Sequence, residues 1–360
     1  MKPITVLLTA SGSQFAPGII KCLKQNGERD ITVIGGDMSC DPSNKYLVDR
    51  FYQIPAVSHD SYVDVILEIC TKHHVDVLVP QMSAELPKYL ERLTDFESIG
   101  TLVSMTRSSN VNIANNKLKL FNFMKSKGIE TPDFAGAYSF DSFKKGLFDL
   151  GYPYKPVVVK MPESSGARGV RVIDESKSKY EIFAYEKPTS VYVSYEDMRS
   201  ILLDAEKTLG KGCFPELMLM EYLPGDEYDI DLLAENGKVL YTAGRRNPEM
   251  VMSISQTSIL EKNTRAEKVA EDIVKALELD GNLGFDFKFD ENGIPKLLEI
   301  NPRIDATVSI FAAGGLNLPY LRIKQLLGEA LPEVQIKYGT RLKRRYMETF
   351  TDPDDNLIDW

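Results

Sequence analysis

Three oxygen-bearing side chains late in the sequence are spaced to bind a metal ion together. Glu299 and Asn301 lie two residues apart on one predicted strand and therefore face the same side, and the preceding predicted strand, Gly284 to Phe289, carries Asp286. Carboxylate and amide oxygens suit Mg²⁺ or Mn²⁺, whereas unpaired carboxylates in such apolar runs would be costly. We therefore predict metal binding by Asp286, Glu299 and Asn301, in preference to a pair of solvated carboxylates.

A lysine and a loop of small residues upstream have the chemistry to bind phosphate. Lys160 ends the apolar run Val157 to Lys160, and the loop from Ser164 to Gly169 follows. Backbone N–H groups of such a loop can cradle phosphate oxygens. The loop is not a Walker A motif, because no Gly-Lys-Ser/Thr follows, and alone it is equally typical of an ordinary hairpin turn. Together with the downstream carboxylates it predicts a nucleotide-phosphate site.

The sequence of the first third of the chain predicts a parallel sheet with a ligand-binding edge. Apolar runs at Ile4 to Thr9, Ile31 to Ile34 and Val75 to Val79 alternate with helical patterns such as Tyr62 to His73. This alternation is typical of βαβ units, whose ligands bind beyond the carboxyl ends of the strands. We predict a Rossmann-like parallel-sheet domain over residues 1–110.

The rest of the chain predicts an α+β region of two subdomains, residues 111–222 and 223–345, and a C-terminal tail, residues 346–360. One helix, which passes through Lys117, Leu120, Phe121 and Met124, is predicted to end at Lys127-Gly128, with Gly128 as its C-cap. An Asn236-Gly237 turn predicts a hairpin from Asp229 to Ala243, and the apolar periodicity of Thr264 to Leu277 predicts an amphipathic helix. The predicted fold class is therefore α/β.

Composition narrows the classes of partner. The 360 residues are 43% hydrophobic, enough for two or three compact units, and the formal net charge of −9 argues against a nucleic-acid partner. No stretch approaches the roughly 18 to 20 apolar residues of a membrane span, and the start lacks the features of a signal peptide. The four cysteines form no CxxC pair, which argues against a zinc or disulfide framework. We expect a cytoplasmic protein without a membrane partner.

These motifs resemble the ATP-grasp superfamily from about Val6 to Leu326. The most specific part is the strand ending Glu299-Ile-Asn301-Pro-Arg303, and the segment from Met220 to Asp231 is similar to the modules of carbamoyl phosphate synthase. The chain has one such module and no glutaminase-like cysteine nucleophile, so synthesis of carbamoyl phosphate itself is not expected. The resemblance implies a two-subdomain ATP-grasp fold after the Rossmann-like domain.

The resemblance also implies roles for individual residues. Lys117 and Lys160 would bind nucleotide phosphates, and Arg303 would stabilise the phosphorylated intermediate. A hinge from Glu221 to Leu223 would hold adenine through backbone groups, and Glu227 would bind the ribose. The other positions implied at the ATP site are the closing-loop residues Ser165, Gly166, Arg168 and Gly169, the hinge residue Tyr222, and the metal ligands Asp286 and Glu299.

Residues that would bind the other substrates carry weaker signals. Arg245 and Arg246 follow a predicted strand and would face the transferring phosphoryl group or a substrate carboxylate, with surface ion pairs as the alternative. We include Arg245 with Lys160 and Arg303 among the catalytic candidates. Polar groups at the ends of the N-terminal strands, which equally act as caps, are Ser11, Gly12, Ser13, Asp37 and Glu85. A basic run, either an anion site or a solvated face, comprises Arg341, Lys343, Arg344 and Arg345.

The predicted activity is ATP- and Mg²⁺-dependent ligation. A carboxylate would attack the γ-phosphate of ATP to form an acyl phosphate, which an amine would then attack. The partners would be a small-molecule carboxylate and amine, with a homodimer as a further expectation from the superfamily. Two alternatives are a nucleotide-binding regulatory protein without turnover and an NAD-dependent oxidoreductase, although the loop from Ala10 to Phe15 lacks G-x-G-x-x-G.

Overall fold

A parallel sheet forms the N-terminal part of the computed structural model, which describes residues 1–164, 168–187, 190–251 and 254–358. Its elements are β1 (Ile4–Thr9), α1 (Ala16–Lys24), β2 (Ile31–Asp37), β3 (Arg50–Gln53), α2 (Tyr62–His73), β4 (Val77–Val79), α3 (Leu86–Glu91), α4 (Leu93–Ser98) and β5 (Leu102–Val103). The strand order is β3-β2-β1-β4-β5, with every pair parallel. The predicted α/β class with an N-terminal parallel sheet is confirmed.

The second sheet forms the middle of the chain. Its elements are α5 (Val111–Ala114), α6 (Lys117–Ser126), β6 (Phe134–Ala137), α7 (Phe140–Asp149), β7 (Val157–Lys160), β8 (Val170–Ile173), α8 (Lys179–Tyr185), β9 (Tyr192–Val193), α9 (Tyr195–Asp204), α10 (Glu206–Leu209) and β10 (Leu217–Glu221). The strand order is β6-β10-β7-β8-β9.

The helix predicted through Lys117 and Met124 is present as α6, and α5 is a separate short helix before it. The Asn116 side chain accepts a hydrogen bond from the Lys119 N–H and so caps a new helix start. This cap places Lys117 in the first turn of α6. The segment from Tyr195 to Leu209 forms two helices, α9 and α10.

The third sheet is antiparallel and carries most of the predicted chemistry. Its elements are β11 (Glu227–Glu235), β12 (Lys238–Val251), β13 (Ile254–Leu260), α11 (Thr264–Leu277), β14 (Gly281–Phe289), β15 (Pro295–Asn301), α12 (Ser309–Ala313), α13 (Leu318–Leu326) and β16 (Arg341–Lys343). The strand order is β15-β14-β11-β12-β13-β16. At the β11–β12 turn, Asn236 and Gly237 have φ of 47° and 78°, the left-handed pair that a two-residue hairpin favours.

Two apolar cores hold the sheets in place. The buried face of α11 packs with α6 against the second and third sheets, through residues such as Phe121, Ile273 and Phe285. Another core joins α1 of the N-terminal sheet to α12 and α13, through residues such as Ile19, Phe311 and Leu321. The three sheets are thereby fixed relative to one another. Among the described residues, no helix has the length and apolar character needed to cross a bilayer.

Candidate functional site

A row of charged residues crosses four strands of the third sheet. Arg245 on β12 pairs in register with Asp229 on β11, Asp229 pairs with Asp286 on β14, and Asp286 pairs with Glu299 on β15. Residues directly opposite one another on neighbouring strands project from the same face of a sheet. One arginine and three carboxylates therefore share one face.

The two predicted metal-binding carboxylates are the last members of this row. The Asn301 amide donates to Asp286 Oδ2 over 3.1 Å, which brings all three predicted ligands together. Burial, with the charges of Asp229 and Glu299, raises the pKa of Asp286 well above its usual value. No cluster of three or more His, Cys, Asp or Glu side chains positioned for a metal occurs in the described ranges, so the candidate set is two carboxylates and one amide.

Lys117 comes from the second sheet's helices to meet this row. Its ammonium lies 2.8 Å from Glu299 Oε2 and donates to the Ser164 carbonyl over 2.9 Å. Although burial opposes it, the charge of Lys117 keeps the pKa of Glu299 below its usual value. The two residues were predicted at one site, and the structure brings them into direct contact.

Lys160 lies beside this pair and is buried. Its ammonium has the Met220 sulfur at 3.9 Å, and only 7% of the residue is exposed. Burial lowers the pKa of Lys160 to about 8. The charge of Glu299 raises this pKa, and the charge of Lys117 lowers it further. A buried cation with so few polar partners among the described residues is well suited to an anionic ligand.

Arg303 extends the cluster beyond the end of β15. Its guanidinium donates to Asn301 Oδ1 over 2.9 Å and to the Ile304 carbonyl over 2.9 Å, and it lies 3.8 Å from Asp305. The Asn301 side chain thus links Arg303 to Asp286. This chain of contacts places the predicted intermediate-stabilising arginine next to the predicted metal ligands.

Arg245, predicted as catalytic, is bound by the protein's own carboxylates. Its guanidinium lies 2.7 Å from Asp229 and 2.6 Å from Asp305, donates to Asn247 Oδ1 over 2.8 Å, and is 2% exposed. These contacts make Arg245 the neutralising partner of a buried acidic cluster, and a direct contact with substrate stays a prediction. The neighbouring Arg246 forms the predicted alternative, surface ion pairs, with Asp226 and Glu261.

The predicted adenine hinge follows β10. The Glu221 carboxylate accepts a hydrogen bond from the Asp133 N–H over 2.9 Å, and the Tyr222 and Tyr192 hydroxyls lie 3.1 Å apart. Leu223 is buried in the core, which leaves only its backbone available for a base. Burial raises the pKa of Glu227, the predicted ribose ligand, and Lys160 opposes this rise.

The predicted closing loop is described only in part. Ser165 and Gly166 lie outside the described residues, whereas Arg168 and Gly169 lie inside them. Gly169 has φ of 68°, and its carbonyl accepts a hydrogen bond from the Met161 N–H over 3.0 Å. A phosphate-binding role for this loop stays a prediction.

Among the polar groups predicted at the N-terminal sheet edge, Gly12 and Asp37 are hydrogen-bonded to each other. Asp37 Oδ2 accepts from the Gly12 N–H over 2.8 Å, as a cap would. Glu85 is completely buried and accepts from the Thr9 hydroxyl over 2.7 Å, and burial raises its pKa to about 8. Within the described chain, Glu85 Oε1 and the Ser11 hydroxyl have no hydrogen-bond partner.

Sequence reasoning missed Asp229 and Asp305 as members of the site. Glu227, Asp229 and Asp231 alternate along β11, and an acidic residue at every second position of an apolar strand was the signal that could have found Asp229. Asp305 carried no such pattern, because it lies in a loop. It accepts a hydrogen bond from the Thr307 N–H over 2.8 Å.

Two family models match separate parts of the chain. Residues 213–349 match a model described as ATP-grasp in the biosynthetic pathway with Ter operon. Residues 6–104 match a model described as a PylC-like N-terminal domain. The second match covers the parallel sheet and the first covers the antiparallel sheet with its charged row.

Curated relatives and solved structures agree with these matches. The chain is 24% identical over 302 residues to the carbamoyl phosphate synthase large chain of Thermotoga neapolitana, covering 81% of this chain and 24% of that protein. It is 25% identical over 279 residues to the formate-dependent phosphoribosylglycinamide formyltransferase of Bacteroides thetaiotaomicron, covering 74% of this chain and 64% of that protein. The chain thus spans less than two thirds of either relative.

A solved structure with a similar fold contains a nucleotide. N5-carboxyaminoimidazole synthetase from Staphylococcus aureus, complexed with ADP, superposes with a TM-score of 0.67 at 16% identity, covering 93% of this chain and 80% of that one. The similarity extends over nearly the whole chain and therefore includes all three sheets.

Proposed function

Because the chain belongs to the ATP-grasp superfamily, we propose that it is an ATP- and Mg²⁺-dependent ligase that joins a carboxylate to an amine. The carboxylate attacks the γ-phosphate of ATP, releasing ADP and forming an acyl phosphate. The amine then displaces phosphate and a carbon–nitrogen bond forms. Both substrates are small molecules.

One observation carries the proposal, the contact of Lys117 with Glu299 beside Asp286. It brings together the buried cation of Lys117, the Glu299 carboxylate, whose pKa is lowered, and the Asp286 carboxylate, whose pKa is raised. The three groups meet between the second and third sheets. Two adjacent buried carboxylates repel one another when both are ionised, and a divalent cation relieves that repulsion. The arrangement thus fits a site where metal and nucleotide phosphates meet.

The residues present fit Mg²⁺ in their donor chemistry. Asp286, Glu299 and Asn301 supply oxygen donors only, and Mg²⁺ prefers oxygen. When bound, the ion would neutralise charge on the phosphate oxygens during transfer. Mn²⁺ accepts the same donors.

The surrounding cations have separate roles in this mechanism. Lys117 and Lys160 approach from the second sheet's side and bind the nucleotide phosphates, while Arg303 approaches from beyond β15 and stabilises the acyl phosphate. Little covalent chemistry is required of the protein, since positioning and charge stabilisation account for most of the catalysis of phosphoryl transfer. Glu227 binds the ribose, and the backbone at Glu221 and Leu223 binds adenine.

A substrate screen with an isotopic readout tests the proposal. The full chain is incubated with ATP, Mg²⁺ and pairs of carboxylates and amines, and ADP release and new amides are measured. For any active pair, a carboxylate labelled with ¹⁸O should transfer one labelled oxygen to inorganic phosphate, because the acyl phosphate retains that oxygen.

The screen also separates the proposal from its alternatives. ATP binding without ADP release for any pair would favour a regulatory nucleotide-binding protein. Release of unlabelled phosphate together with an amide would exclude an acyl phosphate. Saturable NAD binding without ATP binding would favour the oxidoreductase.

A further inference from the structure

The basic run near the C-terminus divides into outward and inward side chains. Along β16 and the two residues after it, Arg341, Lys343 and Arg345 are exposed, whereas Leu342 and Arg344 are partly buried. This alternation follows the pleat of an edge strand that pairs with β13. The Arg344 N–H continues the pairing by donating to the Gln256 carbonyl over 2.9 Å. Arg344 is therefore the member of the run that faces the protein.

Among the described residues, the hydrogen-bond partners of the Arg344 guanidinium are all neutral groups. Its Nε donates to the Ser255 carbonyl over 2.8 Å, and its Nη2 contacts Thr307 Oγ1 at 3.1 Å and the Ala306 carbonyl at 3.4 Å. Within the described part of the chain, no carboxylate lies within ion-pair distance of it and Nη1 has no hydrogen-bond partner. A half-buried arginine normally has a charged partner, because desolvating an unpaired cation is costly.

The loop that Arg344 contacts belongs to the candidate site. Ala306 and Thr307 follow Arg303 within the same loop, and the Thr307 N–H donates to Asp305, the carboxylate that also binds Arg245. Asp305 is thus already engaged by Arg245 and by the Thr307 backbone. Burial and the charge of Arg245 lower the pKa of Arg344, which is the direction expected of an unneutralised cation, although Asp305 opposes it.

We propose that Arg344 binds the carboxylate of the substrate that becomes phosphorylated. A guanidinium with unused N–H donors recognises a carboxylate through parallel charge-assisted hydrogen bonds. Arg303 lies on the loop that Arg344 contacts. The proposed position of the substrate carboxylate is therefore between β16 and the predicted phosphoryl-transfer site. The identification of the anion as the reacting carboxylate rests on the proposed function, whereas an anion site at Arg344 does not.

Acetate is the probe, because it is the smallest stable carboxylate with no other functional group. The melting temperature of the full chain is measured without nucleotide as acetate replaces chloride at constant ionic strength. Wild type should show a saturable rise. Arg344→Gln should raise the half-saturating acetate concentration at least tenfold, and Arg344→Lys, which keeps charge but not the planar fork, should give an intermediate value. Arg345→Gln, an exposed neighbour, should match wild type.

The outcomes decide the proposal without ambiguity. Equal half-saturating concentrations in wild type and Arg344→Gln, or no saturable rise in wild type, would overturn it. A lower melting temperature with unchanged acetate dependence would reveal a purely structural arginine and would also overturn it. If Arg344→Gln does not fold, the comparison of Arg344→Lys with wild type decides the matter. If acetate binding depends on Arg344 but no substrate pair gives ADP release, the proposed ligase activity is wrong and the anion site at Arg344 is confirmed.

Discussion

The Lys117 ammonium lies 2.8 Å from the Glu299 carboxylate, so the first turn of α6 meets the end of β15 through an ion pair. Only 8% of the Lys117 side chain and 30% of that of Glu299 are exposed, and screening by water is correspondingly weak. The pair joins the second sheet's helices to the third sheet at the predicted nucleotide site. The charge at Glu299 therefore acts both at the predicted nucleotide site and in the contact between the two sheets.

Glu299→Gln should fold normally and lose almost all turnover. The amide keeps the shape of the side chain, and removing the repulsion between Glu299 and Asp286 offsets the lost ion pair with Lys117, whereas a metal ligand is lost where charge develops. A loss of about 3 to 4 kcal/mol of transition-state stabilisation corresponds to a rate lower by about 10² to 10³. The measurements are Mg²⁺-dependent ADP release and melting temperature.

Glu291→Gln is the matched control for this variant, because Glu291 lies on the exposed turn between β14 and β15. It should behave as wild type in both measurements. Near wild-type turnover by Glu299→Gln would remove that residue from the metal-ligand set, and failure to fold would assign it a structural role.

Lys160→Arg should abolish a proton uptake that accompanies nucleotide binding. With its pKa lowered to about 8 by burial, Lys160 is mostly neutral in the free protein at about pH 9, and phosphate groups favour its charged form. Wild type should therefore take up protons when it binds a non-hydrolysable ATP analogue with Mg²⁺ at this pH, and the uptake should shrink toward pH 7. An arginine is already charged and takes up none.

Calorimetric titrations in two buffers of different ionisation enthalpy measure this uptake directly. Lys119→Arg, on the exposed side of α6, is the control and should leave it unchanged. Identical proton uptake by wild type and Lys160→Arg would show that Lys160 does not face the phosphates.

Arg245→Met should destabilise the protein strongly. The substitution removes the charge partner of the buried carboxylates of Asp229 and Asp305. Removing one partner of a buried ion pair typically lowers the free energy of unfolding by about 3 to 5 kcal/mol. Arg246→Met, the adjacent control, breaks ion pairs of partly exposed side chains and should cost less than about 1 kcal/mol. Urea unfolding measures both free energies. Similar losses for the two variants would contradict the neutralising role of Arg245.

ATP with Mg²⁺ should raise the melting temperature more than GTP or NAD does. The predicted contacts at Glu221 and Leu223 are backbone groups, and a fixed acceptor and donor match the edge of adenine but oppose that of guanine. Thermal shifts at equal nucleotide concentrations measure the preference. Equal stabilisation by GTP would rule out this hinge as the base-binding segment.

Local sequence determined the elements that carry the site. The Asn236-Gly237 pair specifies a turn with two left-handed residues, and the helix predicted from Thr264 to Leu277 is present with those bounds. The strand carrying Glu299 and Asn301 was also predicted, because alternation and turn residues act over a few positions. The grouping of Asp286 with these two residues followed from one hairpin.

Contacts between distant segments were decided only by the tertiary structure. Nothing in the residues around Arg245 indicates that Asp229 and Asp305 will enclose it, or that Glu85 will be completely buried. The inward direction of Arg344 likewise depends on the pairing of β16 with β13. Strand register and burial in a sheet arise from the packing of the whole chain, because each strand's partner is chosen by long-range contacts that no local pattern encodes.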